Sequence, residues 1–213
     1  FVAWCWDAGT GNAASNSDGT ITSSVKANQD YGFSIVSYTG TGANATVGHG
    51  LSSAPKLILF KKLNVATSWM VYNHTIGNNR FLYLDQNNGQ TGTDSSYFND
   101  TDPTSTVINL GTYHRNNSSS EPYIAYCFAD VSAYQKVGSY SGTGSSGNAI
   151  TGVGFRPAWL MVKRTDSTGS WQIFDTTRDP SGSMNKYVYA NLDNAEASDL
   201  DIAPTSDGFT VNS

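Results

Sequence analysis

A chain of 213 residues has room for one large or two ordinary domains with a real hydrophobic core. Only 14% of its residues are charged, against about 25% in an average soluble domain, and glycine (21 residues), Ser, Thr and Asn are abundant, a composition typical of an extracellular or virion β protein with many turns. The 12 basic and 17 acidic residues give a net charge of −5, which excludes a basic footprint for nucleic acid or an anionic membrane. No apolar run approaches the roughly 18 residues of a spanning helix, so neither nucleic acid nor membrane insertion is expected.

The chain opens on Phe1-Val2-Ala3-Trp4-Cys5-Trp6, and the pattern returns as Tyr123-Ile124-Ala125-Tyr126-Cys127-Phe128. Period 2 puts a small set on one side and a bulky set (Val2, Trp4, Trp6; Ile124, Tyr126, Phe128) on the other. With no polar face, each copy predicts a central strand covered on both sides. The opening lacks an initiator Met and a signal peptide, as expected of a mature product, a proteolytic fragment or part of a longer protein. Cys5 and Cys127 occupy equivalent places, so they are expected in separate cores as buried thiols rather than as a disulfide.

Residues 7–29 are rich in Gly, Ser, Thr, Asn and Ala and read as a connector, with residues 20–25 as an exposed edge strand. Gly32-Phe33-Ser34-Ile35-Val36-Ser37-Tyr38 alternates as a strand, and its second copy runs from Lys136 to Tyr140, 102 positions on. The same offset relates Gly50 to Gly152, Pro55 to Pro157, Leu57-Ile58-Leu59-Phe60 to Trp159-Leu160-Met161-Val162, and Trp69-Met70-Val71-Tyr72 to Trp171-Gln172-Ile173-Phe174. A constant offset over more than thirty positions is the mark of duplication. Proline tolerated at a strand start, a buried run, two cations and a Trp-led second strand describe a hairpin with a several-residue loop. Further on, Arg80-Phe81-Leu82-Tyr83-Leu84 matches Lys186-Tyr187-Val188-Tyr189-Ala190 at an offset of 106, and Thr106-Val107-Ile108-Asn109 matches Gly208-Phe209-Thr210-Val211.

These matches predict an all-β fold of two tandem antiparallel β-sandwich repeats, lectin-like or jelly-roll-like. Residues 1–31 form an N-terminal strand and connector, residues 32–130 the first repeat, and residues 131–213 the second, which lacks its last strand. The bulky residues Val2, Trp4 and Trp6 then mark an assembly strand that completes a sandwich in the second repeat, in a neighbouring chain or in a preceding repeat. The best candidate for a short helix is residues 193–200.

Chemistry is sparse. His49, His74 and His114 stand in no metal-ligand spacing and read as surface or turn histidines; no G-x-S-x-G elbow exists. Asp94, Asp100 and Asp102, and Asp193, Asp199 and Asp201, gather in two loops that fit no EF-hand; they read as solvated carboxylates, with calcium the alternative. No catalytic residue, metal site or cofactor is therefore expected. Of twelve Tyr, nine Phe and five Trp, most lie in the repeated strands, Trp69 and Trp171 among them. Tyr31, Tyr97, Tyr113 and Tyr134 lie in polar loops, where aromatic residues amid Ser, Gly and Asn have the composition of binding loops. They are the candidates for contact with a glycan or protein receptor. Asn-x-Ser/Thr sequons stand at Asn44, Asn73, Asn99, Asn116 and Asn117.

The phrases Phe1-Val2-Ala3-Trp4-Cys5-Trp6-Asp7-Ala8-Gly9, Ser17-Asp18-Gly19-Thr20-Ile21-Thr22-Ser23-Ser24-Val25, Gly32-Phe33-Ser34-Ile35-Val36-Ser37-Tyr38-Thr39-Gly40 and Gly154-Phe155-Arg156-Pro157-Ala158-Trp159-Leu160-Met161-Val162-Lys163-Arg164 resemble a repeated β domain of tail-fibre-like and other virion structural proteins of marine tailed bacteriophages. The resemblance covers nearly the whole chain and brings no catalytic residues. It implies a virion location, an appendage or surface-decorating role without enzymatic activity, and partners that are further copies of the chain, other virion proteins or a host-surface glycan or protein. The alternatives are a carbohydrate-binding module of a secreted bacterial protein and a fragment of a depolymerase tailspike.

Overall fold

A computed structural model describes residues 2–179 and 181–212 of the chain. Phe1, which the sequence places at the head of the first strand, lies outside the described residues, as do Pro180 and Ser213. The fold is nearly all β, in several antiparallel sheets. Two compact units divide it: Phe1–Leu84 with Gln90–Val137, and Asp85–Gly89 with Gly138–Ser213.

The first unit contains strands β1 (Ala14–Asn16), β2 (Ser23–Asn28), β3 (Phe33–Thr39), β4 (Ala45–Gly48), β5 (Leu57–Lys62), β6 (Met70–Asn73), β7 (Leu82–Tyr83) and β8 (Val107–Leu110), a single helical turn α1 (His114–Asn117), and β9 (Pro122–Phe128). Seven strands form one sheet in the order β1-β2-β3-β9-β5-β6-β7, and β4 pairs with β8 separately. The period-2 pattern of β9 sets the sheet's two faces. Tyr123, Ala125 and Cys127 point inward, opposite Tyr38, Val36 and Ser34 on one side, while Ala125 and Cys127 also face Phe60 and Ile58 on the other. These residues pack with Val47, Ile108 and Leu110 of the β4–β8 ladder and with Phe81 and Phe98 in a single core. Each large side chain withdrawn there contributes about 1.5–3 kcal/mol before entropy.

The outer copy of the repeated pattern behaves differently from β9. Residues 2–13 form no strand, and the edges of β3 and β5 that a second copy of the β9 pattern would pair with are already taken by β9. Trp6 instead rests edge-on against Phe128, ring centroids 5.8 Å apart. Cys5 is exposed, contrary to the expectation of two buried thiols; Cys127 is buried, and burial pushes its thiol up to about 12. Residues 20–25 are not an edge strand either. Ile21 and Val25 are buried, Ile21 bridges to Val47, and β2 is interior, flanked by β1 and β3.

The second unit carries β10 (Asn148–Ile150), β11 (Trp159–Val162), β12 (Gln172–Asp175), β13 (Tyr187–Tyr189), β14 (Ile202–Thr205) and β15 (Gly208–Val211), in sheets β10-β15-β14 and β11-β12-β13. Its core is Phe174, Met184, Tyr187, Ile202 and Phe209. The pairing registers repeat at the sequence offsets. Leu57↔Asn73 becomes Trp159↔Asp175, and Val47↔Ile108 becomes Ala149↔Thr210. Val71↔Leu82 becomes Ile173↔Val188, with the shift of 102 on one strand and 106 on the other. Residues 136–140, expected to copy β3, form no strand, and among the described residues this unit holds no β9-like strand to pair with them. Residues 193–200 contain no helix; Ala197 makes a bridge to Tyr187 instead.

A buried ion pair holds the β11–β13 sheet to its turn. Asp175 accepts from Arg178 Nε at 2.6 Å and from the Thr177 and Arg178 backbone N–H groups, while Arg178 also donates to the Ile173 carbonyl and to Glu196. Both side chains are nearly enclosed. Removing one partner leaves the other charge uncompensated, so Arg178→Met is expected to cost the second unit about 3–5 kcal/mol. Hydrogen exchange should show lost protection in β11–β13 and unchanged protection in β3, β9 and β5.

Candidate functional site: two tyrosine clusters

The four sequence-selected tyrosines form two pairs. Tyr31 and Tyr134, 103 positions apart in the chain, stack with ring centroids at 5.1 Å and planes tilted by 31°. They are 43% and 49% exposed, which marks them as surface aromatics and not core. Each sits on a tight turn at the end of the large sheet. Asn28 Oδ1 accepts from the Tyr31 N–H, and reciprocal Val131–Gln135 backbone bonds close the second turn around Tyr134. Gln135 Nε2 donates to the Ala129 and Gly32 carbonyls at 2.7 and 3.2 Å, and the Ala129 N–H also donates to Gly32, so the two turns are tied together. Gly32 is required here: its φ is +60°, and a Cβ would meet Val131 Cγ2 at 2.6 Å and the Ala129 carbonyl at 2.8 Å. The loop chemistry was legible in sequence; the pairing was not.

Tyr97 and Tyr113 form the second pair, edge to face at 4.8 Å, both packed on buried Phe81. They are half-buried, so the polar-loop reading overstated their exposure. Three residues not selected as contacts from the sequence, Tyr83, His114 and Arg115, complete this cluster. The Arg115 guanidinium lies 5.2 Å over the Tyr83 ring, and the His114 ring is 4.5 Å from Tyr113. The Tyr83 hydroxyl is within hydrogen-bonding reach of Tyr113 and Arg115. His114 is held below the usual histidine range, by burial first and then by its cationic neighbours Arg115 and Lys62. The turn α1 places these groups through two asparagines: Asn117 Nδ2 donates to the Ala43 and Gly111 carbonyls, and Asn116 Nδ2 to Tyr97. Both asparagines are fully buried, which closes the Asn116 and Asn117 sequons to modification.

Of the assembly residues, Val2 and Trp6 are exposed and Trp4 is half-buried. Trp6 heads an aromatic row on the outer sheet face: Phe128, Phe33, Tyr126 and Trp69 follow, with Lys61 5.6 Å over the Trp69 ring. Trp69 is therefore an outer-face residue, whereas Trp171 is buried. The signal was available, since Tyr126 and Phe128 alternate with Cys127.

The other candidates resolve locally. His74 is half-buried, its Nε2 3.2 Å from the Val137 carbonyl. The acidic loops disperse into separate roles: Asp94 caps the Ser96 N–H, Asp102 accepts from the Tyr72 hydroxyl, and Asp199 from Tyr187. Among the described residues no three His, Cys, Asp or Glu side chains converge as a metal site. A shallow groove of about 460 Å³ crosses the β1–β2–β3–β9 end of the sheet. It is lined by hydroxyls such as Ser15, Thr22, Ser24 and Thr39 and holds no acid, histidine or lysine.

His49 is a correction to the expectation of surface histidines. It is fully buried, accepting the Leu51 N–H on Nδ1, with Nε2 facing the Thr104 carbonyl at 3.2 Å. That geometry fixes the neutral Nε2–H form.

Together these features define an antiparallel β protein of sandwich character whose surface carries preorganised tyrosine clusters. The chain belongs to the family described as Domain of unknown function (DUF7483), which matches it over residues 1–213. No curated protein and no solved structure matches the chain.

Two measurements check this geometry. Gly32→Ala forces both a left-handed alanine and a backbone clash, and is expected to cost about 1–3 kcal/mol in a denaturant titration. Burial lowers the His49 pKa despite the opposing Thr104 carbonyl and Asp18. The unfolded chain therefore binds the proton more readily, and the stability this residue contributes is present above about pH 6.5 and lost as pH falls toward the folded value. His114 has the same sign. The share due to His49 is the part of the slope below pH 6.5 that disappears in His49→Asn, read from unfolding free energies across pH 5–7.5.

Proposed function

We propose that this chain is a non-enzymatic structural module of a bacteriophage virion, part of a tail fibre or similar surface appendage, which contacts a host-surface glycan through the Tyr31–Tyr134 pair. The observation that carries the contact is that pair. Two exposed rings are fixed against each other by backbone turns and the Gln135 amide, so little side-chain entropy remains to be lost on binding. The virion setting is supported by the resemblance of nearly the whole chain to phage structural repeats and by its sparsely charged, turn-rich composition.

The two units are read as tandem copies of one β-sandwich, a reading supported by registers that repeat at offsets of 102 and 106. In an assembled particle, the Val2–Trp4–Trp6 segment, which forms no strand within the chain, joins a neighbouring copy or another virion protein. A carbohydrate-binding module of a secreted bacterial protein would use the same tyrosines and differ in where it resides.

Mass spectrometry of purified virions should find the intact chain; a chain secreted by bacteria and missing from particles would favour the second reading. Tyr31→Ala with Tyr134→Ala is expected to reduce glycan-array or host-cell binding by at least about tenfold, roughly 1.4 kcal/mol, with stability changed by less than about 0.5 kcal/mol.

A further inference from the structure

We infer that the cluster of Tyr83, Tyr97, Tyr113, His114 and Arg115 is a separate subsite for a carboxylate-bearing sugar, such as a uronate residue of a surface polysaccharide. The inference rests on the glycan-contact reading for its class of macromolecule and on this cluster for its chemistry. The chain is acidic overall, yet three cationic or titratable nitrogens gather here: His114, Arg115 and Lys62. Lys62 is matched by Glu121 at 3.5 Å. Among the described residues no carboxylate lies within ion-pair distance of Arg115, which holds also for Arg80, Arg156 and four lysines, so what sets Arg115 apart is its place beside His114 and Lys62 over the Tyr83 ring. The Arg115 Nε–H is enclosed with no acceptor in reach, so a ligand must approach the terminal nitrogens of the guanidinium. A half-buried guanidinium without a counter-charge is an unfavourable arrangement that an incoming carboxylate relieves, and its planar fork suits a carboxylate better than a point charge does.

The tyrosines supply the rest of a sugar site. Tyr97 and Tyr113, at 71° to each other on Phe81, form a fixed corner whose faces can take the C–H side of a pyranose ring. The Tyr83 and Tyr113 hydroxyls lie beside each other and beside Arg115, next to where the carboxylate would sit. His114 is exposed beside Tyr113, and the charged groups near it or the cluster are Arg115, Lys62 with its partner Glu121, and Asp94 close to Tyr97. A bound carboxylate offsets the cationic neighbours that disfavour imidazolium, so binding takes up a proton and strengthens as pH falls from 8 to 6.

The test is calorimetric titration of the intact chain with oligomers of galacturonate, guluronate and mannuronate, with neutral oligosaccharides of equal length, and with inorganic phosphate. The expected result is preference for at least one uronate series, loss of at least about tenfold in Arg115→Gln, and no such loss in the Tyr31/Tyr134 double variant. His114→Gln should remove the pH dependence while leaving binding at pH 8. Should Arg115→Gln disturb the fold by near-ultraviolet circular dichroism, Arg115→Lys keeps the charge without the fork and is expected to weaken uronate binding several-fold. Binding of neutral sugars only, uronate binding unchanged in both Arg115 variants, or phosphate binding as strong as uronate binding would overturn the acidic subsite and leave the glycan reading intact. A wild-type chain that binds no glycan overturns both.

Discussion

The first unit depends on one late strand having two partners. β9 enters the sheet only after more than a hundred residues have been laid down, and it hydrogen-bonds β3 along one edge and β5 along the other. Without it, β1-β2-β3 and β5-β6-β7 would be two three-stranded sheets with open edges, and the second unit shows what that looks like. Among its described residues there is no β9-like strand, the β11-β12-β13 sheet is three-stranded, and the segment corresponding to β3 forms no strand. A strand is a cooperative object: its backbone groups need partners along an edge, and a suitable sequence pattern does not supply them.

The loops that carry the half-buried tyrosine cluster are organised by polar bonds. Tyr38 and Tyr123 stack as a cross-strand pair with centroids 5.4 Å apart, and both hydroxyls reach α1: Tyr38 donates to the Asn116 carbonyl, while Tyr123 donates to His114 and accepts from the Ser118 N–H. Asn117 then ties the strand-end loop at Thr41 and Ala43 to Gly111. Such groups, buried together and bonded to one another except for the Asn116 Oδ1, which has no partner, favour a single loop arrangement, because an alternative strands further amide groups in a low-dielectric interior. Burial also holds the Tyr38 hydroxyl well above its ordinary pKa, so it stays a neutral donor.

The two tyrosine pairs achieve rigidity by different means, and this fits the different chemistry assigned to them. Tyr31 and Tyr134 are held from below by backbone turns and stack on each other, which leaves each ring partly open to solvent and would suit a neutral sugar stacked by dispersion. Tyr97 and Tyr113 are held by another aromatic ring and stand beside a cation, which adds a directional electrostatic component. Neither cluster carries a strained nucleophile or a converging pair of acids, and the strong pKa shifts elsewhere belong to enclosed structural groups such as Tyr38 and Cys127.

The all-β class, the strands from β5 to β7 and from β11 to β13, and the offset that their registers reproduce are readable from the residues alone. Period-2 alternation and turn residues are local, and local signals survive without knowledge of the partner. The residues also single out the four tyrosines, because loop composition is local too. Pairing in space is set by the folded chain. One copy of a shared pattern became the central strand and the other a strandless segment with an exposed cysteine; Tyr31 found Tyr134; a histidine in a glycine-rich turn was buried; and Arg115 was set over Tyr83 without a counter-charge. Each of these depends on which edges and cavities remain open once the rest of the chain has folded, a global property that no window of residues encodes.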